Sequence, residues 1–372
     1  MRILSLTNCI LDERLGSGKT AIRWTRGLRE RGHEVDLFCP TDFTLYPSFK
    51  KAGRLRQALG ARGFLRERLA SKHYDLVEFY GGEFGWAVRA LHQAKKRPVI
   101  VAHTNGLELL AKEQEKLYEP EPTGLKAYTA KIYRHLDWSA FECADYLVTI
   151  CQADIDYALE QKLFKPDEVA VVSPGIDPEY LKAPCKTERE HRVAFIGSWI
   201  GRKDTKSLVA VMTRLLQEDL RLAFDIFGTS QEQDKIHEEF PFELRPRVFV
   251  YPSLSRQGMQ QQLAKAKVFF FPSLYEGFGM AIAEAMACGC AVVSTRTGFG
   301  ADLKDGEDAL TCDFQDVEGM SQAIKKLLDN EALREKIARA GYDKVQKLTW
   351  SAQVDKLEQL YKNWMNLQQN QK

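Results

Sequence analysis

Two carboxylates and a run of glycines carry the chemistry most plainly written in this chain. Glu276 and Glu284 stand with seven residues between them in Pro272-Ser-Leu-Tyr-Glu276-Gly-Phe-Gly-Met280-Ala-Ile-Ala-Glu284-Ala-Met-Ala-Cys-Gly289. An apolar run, Val268–Phe271, leads in, and a second, Ala291–Ser294, follows. The pattern reads as strand, glycine turn, Ala-rich helix, strand. Unpaired N–H groups and the dipole at the amino end of such a helix attract an anion. Glu276 falls at the carboxyl end of the strand, where ligands of open α/β sheets bind. Glu284 falls just over one turn inside the helix. A pair of cations, Arg202 and Lys203, follows another glycine turn in Phe195-Ile-Gly197-Ser198-Trp-Ile-Gly-Arg202-Lys203-Asp204. Cations placed at such a turn form strong charge-assisted bonds to phosphate.

The run from Pro272 to Val293 resembles the donor-sugar motif of the retaining glycosyltransferases of family 4, which have the GT-B fold. That motif is Pro-Ser, two variable residues, Glu-Gly-Phe-Gly, then Glu-Ala-Met-Ala-x-Gly and two valines, and the chain matches nearly all of it. The resemblance implies that Glu284 accepts hydrogen bonds from the ribose diol of a nucleotide. It places Glu276 beside the donor sugar, and the backbone at Phe278, Gly279 and Met280 against sugar and phosphate. Lys203 aligns with a lysine that neutralises the leaving diphosphate. Ser198 stands where the family has arginine and Asp204 where it has glycine, so Arg202 would supply the missing charge. His103, closing Val101-Ala-His103, matches a histidine that reaches the donor from the first domain; the competing reading is a strand-end histidine bonded to backbone. Tyr251, followed by Pro252 rather than the more usual glycine, falls where the family holds the base through backbone groups. Gly18, in Gly16-Ser17-Gly18-Lys19-Thr20, belongs to a flexible glycine loop that in the family faces the interdomain cleft. The same pentapeptide resembles the end of a P-loop, but that signature needs a glycine where Glu13 stands. The bland reading of all these residues is capping loops and solvated turns.

Alternating apolar runs and helical stretches must position this set. Ile3–Thr7, Val35–Cys39, Leu76–Tyr80, Val99–His103, Tyr146–Ile150 and Val169–Ser173 read as buried strands with helical crossovers. The polar stretch Lys182–Arg192, with Pro184, reads as a linker. The alternation then restarts at Val193–Ile196, Phe224–Phe227, Val248–Tyr251, Val268–Phe271, Ala291–Ser294 and Ala309–Cys312. The expected fold class is therefore α/β, with two doubly wound Rossmann-like parallel-sheet domains. The resemblance implies that these face a central cleft, with residues 1–180 on the acceptor side and 181–350 on the nucleotide-sugar donor side. The resemblance packs a terminal helix, 351–372, back on the first domain.

The chain's 372 residues suit two cores rather than one. A net charge of +2 argues against a dedicated nucleic-acid binder. Eight scattered cysteines, without zinc spacing, fit a reducing cytoplasm. A strand begins directly after Arg2, so no signal peptide is expected, and no apolar run reaches membrane-spanning length. Residues 50–72 are unusually basic: Lys50, Lys51, Arg54, Arg56, Arg62, Arg66, Arg68 and Lys72 face one acid, Glu67. Leu55, Leu59, Leu65 and Leu69 recur at helical spacing, with Gly60 and Gly63 breaking the run. Such an element suits an anionic membrane surface, an anionic acceptor, or a solvated face over an ordinary core stripe.

The resemblance is strongest over Val193–Leu328 and weaker over residues 1–180. It implies a hexosyltransferase that moves a sugar from a nucleotide diphosphate sugar to an acceptor hydroxyl, on a lipid or growing glycan among others, with retention and without a metal or other cofactor. A nucleotide-sugar epimerase, a phosphorylase of similar fold, and a non-catalytic partner subunit are the alternatives.

Overall fold

The computed structural model describes residues 1–13, 15–49, 51–182 and 188–370. Lys50, and the part of the expected linker that contains Pro184, lie outside the described residues. The chain divides into two compact units. One comprises Met1–Glu113, Pro120–Gly175 and Trp350–Lys372; the other comprises Gln114–Glu119 and Ile176–Thr349.

The first unit is built on β1 (Arg2–Thr7), β2 (Glu34–Phe38), β3 (Leu76–Tyr80), β4 (Val99–His103), β5 (Tyr146–Thr149) and β6 (Val169–Val171). They form one parallel sheet in the order β2-β1-β3-β4-β5-β6. Its helices include α1 (Gly16–Glu30), α2 (Gly53–Ser71), α3 (Gly85–His92), α4 (Gly124–Glu142) and α5 (Gln152–Glu160). Strands covered by helices on both faces must be apolar on both sides, which is why they read as continuous runs. Trp24, Phe79, Tyr80, Phe84 and Phe141 fill the core; each such side chain contributes about 1.5–3 kcal/mol by leaving water.

The second unit repeats the plan with β7 (Glu190–Ile196), β8 (Ala223–Phe227), β9 (Val248–Tyr251), β10 (Ala266–Phe271), β11 (Ala291–Thr295) and β12 (Leu310–Cys312). Their order is β12-β11-β10-β7-β8-β9, all parallel. Its helices include α6 (Thr205–Glu218), α7 (Arg256–Leu263), α8 (Met280–Ala287), α9 (Val317–Asp329) and α10 (Glu331–Val345); α11 (Trp350–Asn370) belongs to the first unit. From β7 the chain winds one way to β8 and β9, then returns to the other side of β7 with β10. That reversal places the carboxyl ends of β7 and β10 side by side, which is where open α/β sheets bind ligands.

Two expectations about local structure need correction. The stretch expected as linker ends early, because Glu190, His191 and Arg192 already belong to β7. Their polarity has partners: His191 Nε2 lies 2.7 Å from Asp219 Oδ2, and an Arg192 N–H donates to Asp225 Oδ1 at 2.9 Å. The second correction concerns residues 50–72. Gly60 and Gly63 do not break the helix; both lie inside α2. Gly60 is where α2 presses on the carbonyl of Phe43, leaving no room for a Cβ.

Half of the basic set on this segment is already engaged within the protein. Arg54 donates to Glu83 at 2.7 Å and to Asp137 at 2.5 Å. Arg56 donates to the carbonyls of Lys51, Leu45 and Tyr46. Arg68 lies over the rings of Phe38 and Phe64, and Lys72 pairs with Glu34 and Asp36. Leu65 is buried and Leu59 is exposed. Lys51, Arg62 and Arg66 remain exposed. No described helix is long and apolar enough to cross a membrane.

Candidate active site

The loop after β10 and the loop after β7 meet at the reversal point of the second sheet. Ser273 lies near the start of one and Arg202-Lys203 sit in the other. The two are joined through the backbone, since Leu274 N–H donates to Arg202 O at 2.9 Å. Glu276 receives three donors on one oxygen, Oε1: Lys203 Nζ at 2.5 Å, the Ser273 hydroxyl at 2.5 Å and an Arg202 N–H at 3.2 Å. Lys203, Glu276 and Ser273 are all buried. Burial pushes the Lys203 ammonium below its usual range, and the Glu276 carboxylate partly counters that. Lys203 Nζ also lies 4.5 Å from the ring centre of Phe271. Two cations facing one carboxylate leave the cluster with an excess of one positive charge, in a setting where charge is poorly screened.

Downstream of Glu276 the chain needs glycine. Gly279 takes φ +84°, a left-handed conformation open to glycine at no steric cost, and so turns the chain into α8. The helix starts at Met280, and its first amides have no helical partner. Gly298, at φ +53°, passes beneath Glu276 and the Phe278 carbonyl, where a Cβ would collide. Phe278 is buried and stacks on Phe299 at 5.1 Å; its carbonyl accepts the Phe299 N–H at 2.6 Å. Glu284 lies half-buried on α8, with the buried Tyr180 close enough that the carboxylate, after burial itself, raises the phenol's pKa.

The remaining expected residues divide. Ser198 is exposed in the turn after β7, and Tyr251 ends β9 stacked on Phe227 at 5.2 Å. Gly18 lies in the first turn of α1, not in a loop; its lack of a Cβ admits the backbone of Ile10 and Asp12. His103 has no exposed surface. Its Nε2 lies 2.6 Å from the Tyr361 hydroxyl and 3.4 Å from Glu78, and its ring stacks on Tyr80 at 4.6 Å. Its Nε2 is thus committed to the interior of the first unit, while its buried Nδ1 has no hydrogen-bond partner among the described residues. Neither reading of the strand-end histidine named these partners.

Ser273 is the residue of this cluster that sequence reasoning passed over. Its signal was the Pro-Ser dipeptide at the end of a strand three residues before Glu276. Also unforeseen are the buried acids around Arg54 in the first unit, Glu83 and Asp137, whose partners are distant in sequence.

Two parallel-sheet units of this topology define the GT-B class. The family model described as glycosyl transferases group 1 matches residues 190–330, and the one described as glycosyltransferase family 4 matches 16–180. The chain belongs to the family 4 type of glycosyltransferase, and it is a nucleotide-sugar-dependent enzyme. It is 25% identical over 323 residues to a D-inositol 3-phosphate glycosyltransferase of Corynebacterium aurimucosum, covering 79% of this chain and 73% of that one. Its fold is similar to that of sucrose-phosphate synthase from Thermosynechococcus elongatus, with a TM-score of 0.79, 18% identity, and coverage of 99% and 100% of the two chains. It is likewise similar in fold to Anabaena HepE solved in complex with UDP, with a TM-score of 0.70, 16% identity, and coverage of 98% and 100%.

Proposed function

We propose that the second unit binds a nucleoside diphosphate sugar at the β7–β10 reversal point and releases the diphosphate there, with retention at the transferred carbon. The observation that carries this reading is the convergence of Lys203 and Arg202 on Glu276 beside the amino end of α8. A leaving diphosphate gains negative charge as the bond to the sugar breaks. Cations and amides gathered beside the leaving group stabilise that charge. Glu284, just over one turn into α8, suits the ribose hydroxyls. Lys203 and Arg202 supply the charge that a divalent cation would otherwise bring, so transfer is expected to survive EDTA.

The test is a thermal-shift screen over UDP-glucose, UDP-N-acetylglucosamine, GDP-mannose and ADP-glucose, since a ligand of the folded form raises its melting temperature. The sugar that binds is then followed into product by NMR of the anomeric proton. Glu276→Gln and Lys203→Ala should lose most turnover at nearly unchanged melting temperature. Unfolding of both variants would assign the pair to the core instead.

A lipid-borne acceptor at a membrane is the finer form of this reading. What supports it is the exposed side of α2, where Arg62, Arg66 and Leu59 share one face, with Lys51, Tyr46 and Phe49 exposed on the preceding segment. Three basic groups at an anionic surface contribute on the order of 1 kcal/mol each. Co-sedimentation with phosphatidylglycerol vesicles, absent with phosphatidylcholine and lost when Lys51, Arg62 and Arg66 become glutamine, is the expected result. Equal sedimentation of both proteins removes the membrane from the reading.

A further inference from the structure

The two oxygens of Glu276 are not equivalent. Oε1 carries all three donors, which saturates it. Among the described residues nothing donates to Oε2. Ser273 is the donor whose position is set most rigidly. Its side chain is wholly buried, and its own carbonyl accepts the Thr295 hydroxyl at 2.5 Å. Its hydroxyl also lies 3.1 Å from Arg202 O and 3.2 Å from Tyr275 O, but its single proton goes to the much closer carboxylate. Lys203 and Arg202, by contrast, end long side chains and have a second task if a diphosphate arrives.

We propose that Ser273 is a positioning residue: its hydroxyl, donated to Oε1, holds the Glu276 carboxylate so that Oε2 alone is presented to the donor sugar. When the diphosphate draws Lys203 and Arg202 toward itself, the Ser273 bond is the one that stays. The carboxylate then keeps its orientation through the step in which the cations are shared. This rests on the donor site proposed above, and on no contact that Ser273 itself makes with a ligand.

The experiment compares Ser273→Ala, Ser273→Thr and Glu276→Gln in steady-state hydrolysis and transfer of the nucleotide sugar found by the screen, with UDP, GDP and ADP binding measured separately. A misplaced catalytic carboxylate costs turnover, so Ser273→Ala should lower kcat about ten- to a hundredfold. Affinity for the free nucleoside diphosphate, which has no sugar to meet Oε2, should change less than about twofold by the same argument. Ser273→Thr, which keeps the hydroxyl, should recover a large part of kcat. A merely structural serine would show no such split and no rescue. Unchanged kcat in Ser273→Ala, with Glu276→Gln inactive, overturns the inference and leaves the donor site standing. Full activity in Glu276→Gln overturns the donor site itself. If Ser273→Ala does not fold, Ser273→Cys, close in size and a poorer donor, carries the same comparison: a drop in kcat supports the inference and none refutes it.

Discussion

At the scale of single residues, the second unit concentrates charge where the sheet reverses. Glu276 and Glu284 differ in what surrounds them. Glu276 is neutralised from within by Lys203, whereas Glu284 sits on the helix, half-buried, next to Tyr180. The two acids are therefore expected to answer differently to mutation. A charged hydrogen bond to a ribose diol is worth roughly 1.5–3 kcal/mol. Glu284→Ala should weaken binding of the nucleoside diphosphate that stabilises the native protein by about that much, read by calorimetry. Unchanged affinity would take Glu284 out of the nucleotide site.

At the scale of elements, the strands were the most legible part of the sequence. Each of the twelve apolar runs coincides with a strand to within three residues at its ends, because a strand buried on both faces has no solvent side to confuse its pattern. The helix α2 was less legible, since two glycines inside a helix look like breaks when packing is unseen. They answer to different causes, and a pair of substitutions separates them. Alanine in a helix is worth about 0.5–1 kcal/mol over glycine. Gly63 has open space around it, so Gly63→Ala should stabilise by that amount. At Gly60 the same change drives a Cβ into the Phe43 carbonyl, and overpacking costs about 1–3 kcal/mol, so Gly60→Ala should destabilise. Urea unfolding of the two variants reads opposite signs. His103 was illegible for another reason: its partners Glu78 and Tyr361 come from β3 and α11, and no local spacing joins them.

Another element-scale expectation concerns acid. Burial raises the pKa of Asp219, but the Arg221 amide and His191 outweigh it and hold the carboxyl at about 2, below its ordinary 3.8. A depressed acid stabilises the fold above its unfolded pKa and loses that contribution as pH falls through the folded value. The start of β7 should therefore loosen between 3.8 and about 2. Asp219→Asn removes this slope from a melting-temperature series across that window; an unaltered slope would assign the acid sensitivity elsewhere.

At the scale of the whole molecule, the first unit is assembled from distant stretches of chain. Helix α11 closes it: Arg31 pairs with Asp355 at 2.5 Å, Trp364 stacks on Tyr146 at 4.5 Å, and the Tyr361 hydroxyl bonds both Glu78 and His103 in the core. Tyr361→Phe keeps the ring and removes the bond. It leaves a fully buried carboxylate short of a donor, and should cost about 1–3 kcal/mol of that unit's stability. Differential scanning calorimetry should show the transition of the first unit moving down while that of the second stays. A single shifted transition would mean that the units melt together.

This closure by α11 sets an order of events during synthesis. The ribosome makes the six strands of the first unit early, but Tyr361 and Trp364 appear only after Thr349, when the sheet of the second unit is already complete. Until then Glu78 and His103 sit in a half-covered sheet with their shared partner still unmade. The stretch made first is thus the one that finishes last, and it is where a nascent chain stalled before Trp350 will recruit chaperones or be cut by a protease.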